Sequence, residues 1–212
     1  MSEIPCEQTP SDVRSADILI VGGGLSGALL AAQLLRLPGQ RRVLVIEPRA
    51  ELGRGEAYSA VELGHTLNGN AARMSVDPDN ADDLSQWLSA FIAAGGWPES
   101  AEQAVPVAEL FPPRGLFGVY VQQRLAQAQE QGARQGSSVE HVRGEVVDLQ
   151  VDAQAAWLTL SDGSRLRGSL RCWPPACSRR RERRKPTPAG STPRPSILGT
   201  WRPWRDSIRK RR

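Results

Sequence analysis

Apolar positions along the chain follow three rhythms. Asp17 to Val21 (DILIV) and Val43 to Glu47 (VLVIE) are unbroken, β-branched runs, the pattern of strands buried on both faces of a parallel sheet. Between them the spacing turns helical: Gly27 to Leu37 is rich in Ala and Leu, and Pro38 with Gly39 ends it, because a residue before proline is pushed out of helical geometry. Residues 17 to 47 thus read as one complete βαβ unit. Asp79 to Ile92 predicts an amphipathic helix with Leu84, Trp87, Leu88, Phe91 and Ile92 at helical spacing, Asp82 and Asp83 in its first turn and Gly95-Gly96 beyond its end. A further helix from about Gly115 to Gln131 presents Phe117, Val121, Leu125 and Ala128. Short runs follow at Glu145 to Val151, Ala156 to Leu160 and Ser164 to Gly168, the last two joined across Ser161-Asp162-Gly163, a hairpin signal. The order of elements predicts an α/β fold: a parallel sheet with helices on both faces, a helical insertion at 79–131 and a small antiparallel meander at 145–168.

At 212 residues the chain is long enough for a substantial core. Its longest apolar stretch, Leu29 to Leu37, is interrupted by Gln33 and Arg36 and falls far short of the roughly 20 residues that cross a bilayer, so no membrane partner is expected. Met1 to Ser15 carries Glu3, Glu7 and Asp12 and no apolar centre, which is the pattern of a disordered lead-in to a cytoplasmic protein rather than of a targeting peptide. Cys6, Cys172 and Cys177 complete neither a zinc site nor a disulfide framework, and no metal is expected.

The chemistry is concentrated at Gly22-Gly23-Gly24-Leu25-Ser26-Gly27, a GxGxxG pattern between a strand and a helix. Gly22 makes the turn, Gly24 keeps side-chain atoms away from a pyrophosphate, and Gly27 lets helix and strand pack closely. The helix start then offers unpaired N–H groups and partial positive charge to phosphates. Glu47 lies 20 residues after Gly27 at the end of the second run, where a carboxylate accepts hydrogen bonds from ribose hydroxyls. It would repel a 2′-phosphate, although Arg49 nearby works the other way. The competing reading is a glycine-rich turn that binds nothing. These residues alone do not separate FAD from NAD.

Further motifs narrow the choice. Leu52-Gly53-Arg54-Gly55-Glu56-Ala57-Tyr58-Ser59, His65-Thr66-Leu67-Asn68, Ala71-Ala72-Arg73-Met74-Ser75, Trp87-Leu88 and Pro113-Arg114-Gly115-Leu116-Phe117-Gly118-Val119-Tyr120 together resemble the FAD-NAD(P)-binding family of bacterial flavoproteins, some labelled FAD-dependent urate hydroxylases. The resemblance runs from about Asp17 to Leu170, with one departure where the family has Val-Pro and this chain has Gly69-Asn70. It implies a Rossmann-type fold, FAD on the first βαβ unit and NAD(P)H as an electron donor. It also extends the cofactor-binding set to Arg54, Met74 and Val146. The function it implies is that of an FAD-binding domain in a flavin-dependent oxidoreductase, an NAD(P)H-linked hydroxylase or related enzyme. The alternatives are an inactive fragment of such an enzyme and an NAD-binding module without flavin. For Arg54 a phosphate contact competes with a solvated charge, for His65 an acid–base role competes with an ordinary loop histidine, and Trp87 and Phe91 fit core packing. Catalytic residues, the small-molecule substrate and the oligomeric state do not follow from the sequence.

Composition breaks near Leu170. Residues 171–212 carry fourteen Lys or Arg against Glu182 and Asp206, so a tail of +12 offsets a body of −8 in a chain of net +4. Seven of the 16 prolines lie there too, with Trp173, Trp201 and Trp204. One reading is a nucleic-acid arm, with arginines for phosphates and tryptophans for stacking. Another is a disordered charged extension. A third accounts for more: out-of-frame translation of a GC-rich gene yields this composition. Taking the last base of each codon with the first two of the next, Arg171 to Ser178 permits Leu-Leu-Ala-Thr-Gly-Val-Phe-Pro, in which the second Leu and the Ala are forced by the code. The family resemblance calls for a strand ending in Ala-Thr-Gly at that place, and the fold is therefore expected to be incomplete at its C-terminus.

Overall fold

The β-branched runs do form strands, and their alternating side chains sort into two apolar layers. In the computed structural model, which describes residues 13–172, β1 (Arg14–Val21) pairs in parallel with β2 (Arg42–Ile46), with Ile18 opposite Val43 and Val21 opposite Ile46. Ile18, Ile20, Val43 and Val45 point into one layer with α1 (Leu25–Arg36), α2 (Asp83–Ala93) and α3 (Arg114–Arg134). Leu19, Leu44 and Ile46 point into the other, where Leu158, Leu160 and Leu166 cover them. α1 stops where Pro38 requires, and the Arg41 guanidinium then wraps back to donate to the carbonyls of Leu34, Leu37 and Pro38, which the end of the helix leaves without partners.

Six strands make one sheet in the order β3-β2-β1-β6-β5-β4. β3 (Ser138–Val142) lies parallel to β2, while β4 (Val146–Val151), β5 (Ala156–Leu160) and β6 (Arg165–Cys172) form an antiparallel meander whose last strand runs parallel to β1. The α/β, Rossmann-type architecture matches the expectation, with three differences.

First, the helices share one layer among the described residues, and the meander supplies the cover on the opposite face where helices were expected. Second, α3 is more than part of an insertion: it packs along α1, with Gly132 against Leu35, and delivers the chain to β3, so it serves as the second crossover helix. The Ser-Val-Glu-His-Val strand it feeds was missing from the sequence reading. Third, the last meander strand extends beyond its expected end at Gly168, while the place of the expected Ala-Thr-Gly lies outside the described residues. β6 continues past Gly168 to Cys172, which sits opposite Ile20, and a Cβ on Gly168 would collide with Leu19. Leu19, Leu44 and Ile46 are buried beneath the meander.

α2 begins four residues later than the periodicity suggests. Asp77 Oδ1 accepts the Asp79 N–H and Asn80 Oδ1 accepts the Asp82 N–H, so these short polar side chains hold the backbone in turns that compete with helix until Asp83. The lead-in and the basic tail from Trp173 onward lie outside the described residues.

Candidate functional site

The glycine turn sits at the carboxyl end of β1. Gly22 has φ 95°, a conformation side chains resist, and its N–H donates to the Ile46 carbonyl at 2.8 Å, tying the turn to the end of β2. A Cβ on Gly27 would lie inside the Gly22 carbonyl oxygen, and one on Gly23 would run into Leu52 and come within 2.8 Å of Glu47 Cβ. Gly24 differs from all of these. Its φ of −66° suits any residue, and an added Cβ would meet the protein only at Gly55 Cα, at an ordinary 3.5 Å. Gly24 is also the N-cap of α1, and no side chain caps that helix start, which leaves the first N–H groups at Leu25, Ser26 and Gly27 available.

Glu47 follows β2 directly and is 5% exposed. Its Oε2 accepts the Gly23 N–H at 2.9 Å, and its Oε1 accepts the Arg49 backbone N–H at 3.1 Å and Arg49 Nη1 at 3.3 Å. The Glu47 N–H donates to the Val142 carbonyl, and the Glu47 carbonyl faces His141 Nε2 at 2.9 Å, so β3 anchors the carboxylate's backbone from the other side. Because a carbonyl only accepts, that bond requires the proton on Nε2.

A second glycine loop, marked in the sequence by the family motif alone, lies on the first. Gly53, at φ 92°, donates its N–H to the Gly23 carbonyl at 2.8 Å, and a Cβ on Gly55 would stand 3.1 Å from Gly24 Cα. Arg54 between them turns away toward α3. Its Nη2 donates to the Gly115 carbonyl at 3.0 Å, its Nη1 approaches Glu51 at 3.5 Å, and its Nε is buried without a partner. α3 can lie this close because Gly118 faces Arg54 and the Tyr58 carbonyl, where a Cβ would be 2.6 Å from the latter.

The structure therefore gathers Gly22 to Gly27, Glu47, Arg49 and the Gly53–Gly55 loop around one turn. Two other expected members stand on different elements. Met74 packs beside Gly69 in the helical layer, and Val146 opens β4 opposite Leu160. His65 lies in an exposed loop, where its carbonyl accepts the Arg114 N–H.

A second buried carboxylate escaped the sequence reading. Asp83 accepts the Tyr120 hydroxyl at 2.6 Å and both Nε and Nη2 of Arg124, at 2.6 and 2.8 Å, while the Tyr120 oxygen accepts the Val76 N–H at 3.1 Å. Burial, reinforced by Asp83, pushes the Tyr120 phenol up to about 12. Trp87 stacks on Phe91 beside Tyr120 and donates its indole N–H to Gln123, a core arrangement as its spacing suggested. The legible signal was on α3, where Tyr120 and Arg124 are one turn apart and thus share a face.

A family model for FAD-NAD(P)-binding domains matches residues 19–170. The chain belongs to that family. It is 25% identical over 187 residues to the chloroplastic zeaxanthin epoxidase of Nicotiana plumbaginifolia, a match that takes in 80% of this chain and 27% of that protein. Among solved structures it is similar to a flavin-containing monooxygenase from Stenotrophomonas maltophilia, at 22% identity and TM-score 0.44, over 76% of this chain and 38% of the other. It is also similar to the bacillithiol disulfide reductase of Staphylococcus aureus, at 14% identity and TM-score 0.47, with the same coverage. The chain spans about a quarter of the length of the epoxidase. Family membership supports FAD as the cofactor and NAD(P)H as the family's donor, and it identifies the described residues as a flavoprotein's dinucleotide-binding domain. No helix among them is long and apolar enough to cross a membrane.

Proposed function

We propose that the turn at Gly22–Gly27 holds the ADP half of FAD and that the chain serves a flavin-dependent oxidoreductase, with NAD(P)H as hydride donor for a hydroxylation or a related redox step. One observation carries the reading. Gly22 is required by its backbone conformation, and Gly23 and Gly27 by close packing, whereas the fold places no such demand on Gly24. A glycine that the protein does not need, at the uncapped start of a helix, fits a pyrophosphate approaching the backbone.

In this reading the N–H groups that open α1 take the phosphates, and Glu47 takes the ribose hydroxyls. The Gly53–Gly55 loop forms the neighbouring wall, and Arg54 holds that wall against α3 rather than reaching the phosphates. The flavin ring, when bound, supplies the hydride acceptor. The protein's part is to fix the adenosine and pyrophosphate so that the ring is carried to a defined place. The test is the flavin absorbance of the purified full chain after incubation with FAD, together with release of FAD on denaturation. A folded, colourless protein that takes up NAD and refuses FAD would exclude the proposal.

A second reading, an inactive fragment, is favoured by the composition break at Arg171 and by the family-like Ala-Thr-Gly in the shifted frame. The gene sequence around codon 171 is its direct test. If the frame-restored protein binds more FAD and melts higher than the present chain, the tail is out of frame. A stop codon soon after codon 171 in the shifted frame would rule that out.

A further inference from the structure

The pairing of Glu47 leaves too little room for a ribose diol. A carboxylate has about four lone-pair positions, two on each oxygen. Oε1 spends both of its positions on Arg49, one on the backbone N–H and one on Nη1, and Oε2 spends one on Gly23. A single position on Oε2 remains, so one hydroxyl can be accepted as the site stands. The second needs a place on Oε1. The backbone bonds from Gly23 and Arg49 are fixed by the turn, whereas Arg49 Nη1 ends a side chain that is half exposed and free to leave. Its other amino group, Nη2, is held at 3.2 Å by Glu56, which is 92% exposed.

We infer that Arg49 is a displaceable latch on Glu47: its guanidinium occupies the position that the second ribose hydroxyl of an adenosine nucleotide takes, and the nucleotide binds as the side chain swings off. The inference rests on the reading of Glu47 as the ribose acceptor and adds a specificity device to it. Arg49 then sets how strongly the site discriminates a full diol from a ribose with one hydroxyl. In the wild-type chain the latch takes part of the gain from the second hydroxyl, and without it the whole gain is realised. A positive charge that merely attracted the diphosphate would act in the opposite direction on affinity and would be indifferent to the hydroxyl count.

The experiment is calorimetric titration of the full chain with ADP and with 2′-deoxy-ADP, for the wild type and for Arg49→Met, which keeps an apolar stem and removes the donors. Thermal melts accompany both proteins to show that they are folded. The latch predicts that Arg49→Met binds ADP about two- to five-fold more tightly, the range set by one exposed ion pair. It predicts little change for 2′-deoxy-ADP, so that the ratio of the two affinities widens. Glu56→Ala, which frees Nη2 and loosens the latch without touching Glu47, should move ADP affinity the same way by a smaller factor. Weaker binding of ADP by Arg49→Met would make Arg49 a direct ligand contact and overturn the latch. Equal tightening toward both nucleotides would overturn it as well, since no hydroxyl would then be in competition. If the wild-type chain binds neither ADP nor FAD, the dinucleotide reading of Glu47 itself fails, a result distinct from either of these.

Discussion

Glu47 and Asp83 are both buried carboxylates, at 5% and 8% exposure, yet their partners differ in kind. Asp83 meets a tyrosine hydroxyl and two guanidinium nitrogens at 2.6 to 2.8 Å, strong donors from a helix 37 and 41 residues further along. Its charge is fully compensated inside the helical layer, and through Tyr120 it also secures the backbone at Val76. Glu47 meets backbone N–H groups and one half-exposed arginine at 2.9 to 3.3 Å, at the open end of a strand beside a helix start. Burial alone does not separate the two; the donors do. Asp83 is held by converging side chains, a hydroxyl and a guanidinium, and Glu47 by two backbone N–H groups and one half-exposed arginine, which suits the ribose acceptor proposed for it.

The largest effect expected from breaking this contrast is at Asp83. Asp83→Ala strands Arg124 and the Tyr120 hydroxyl in the interior, and removing one partner of a buried pair costs about 3–5 kcal/mol. Denaturant unfolding should show a loss of that size, while the molecules that remain folded keep their nucleotide affinity. If affinity falls and stability does not, the roles assigned to the two acids are reversed.

Glu47→Ala should do the converse. If Glu47 takes the ribose as proposed, the change loses charge-assisted bonds and is expected to weaken FAD by about 1.5–3 kcal/mol. It strands the neutral N–H of Gly23, whereas Asp83→Ala strands a charged guanidinium and a hydroxyl, so the loss of stability should be smaller than at Asp83.

The two acids were not equally legible in the sequence. Glu47 was, because its partners are local: a glycine turn, a helix and a β-branched run that fix it within 25 residues of Gly23, inside one βαβ unit. Asp83 read as a helix-dipole residue, since nothing near it in the chain reports an arginine 41 positions away. β3 was lost for a related reason. Ser138 to Val142 is short, and its Glu140 is paired with Arg42 on the adjacent β2 and Arg14 on β1 beyond it, so the run carries a charge that a buried strand would not. The end of β6 was masked by the composition break, although its pairing with β1 extends to Cys172. The role of Gly23 and the docking of Gly53 on it depend on distances between loops, which periodicity does not encode.

A smaller effect sharpens the same contrast with a third acid. Burial alone would raise the carboxyl of Asp77, but the Asp79 N–H and the Arg36 guanidinium outweigh it and hold the group below 3.8. A carboxyl lowered on folding stabilises the protein above its unfolded value and loses that contribution as pH falls through the folded one. Asp77→Asn should therefore cost no more than about 1 kcal/mol near neutral pH, in line with a partly exposed pair. The difference from wild type should vanish in melts taken well below pH 3.8. A difference that persists at low pH would place the effect in shape rather than charge.

Gly24 gives the most direct test of the central claim, that the turn exists to receive a pyrophosphate. The measurement is FAD titration of the full chain beside Gly24→Ala, with thermal melts of both. A pyrophosphate against this backbone predicts unchanged melting, because the added Cβ meets only Gly55, together with a loss of FAD affinity of about tenfold or more, or about 1.4 kcal/mol. A variant that melts as the wild type does and binds FAD equally well would contradict it.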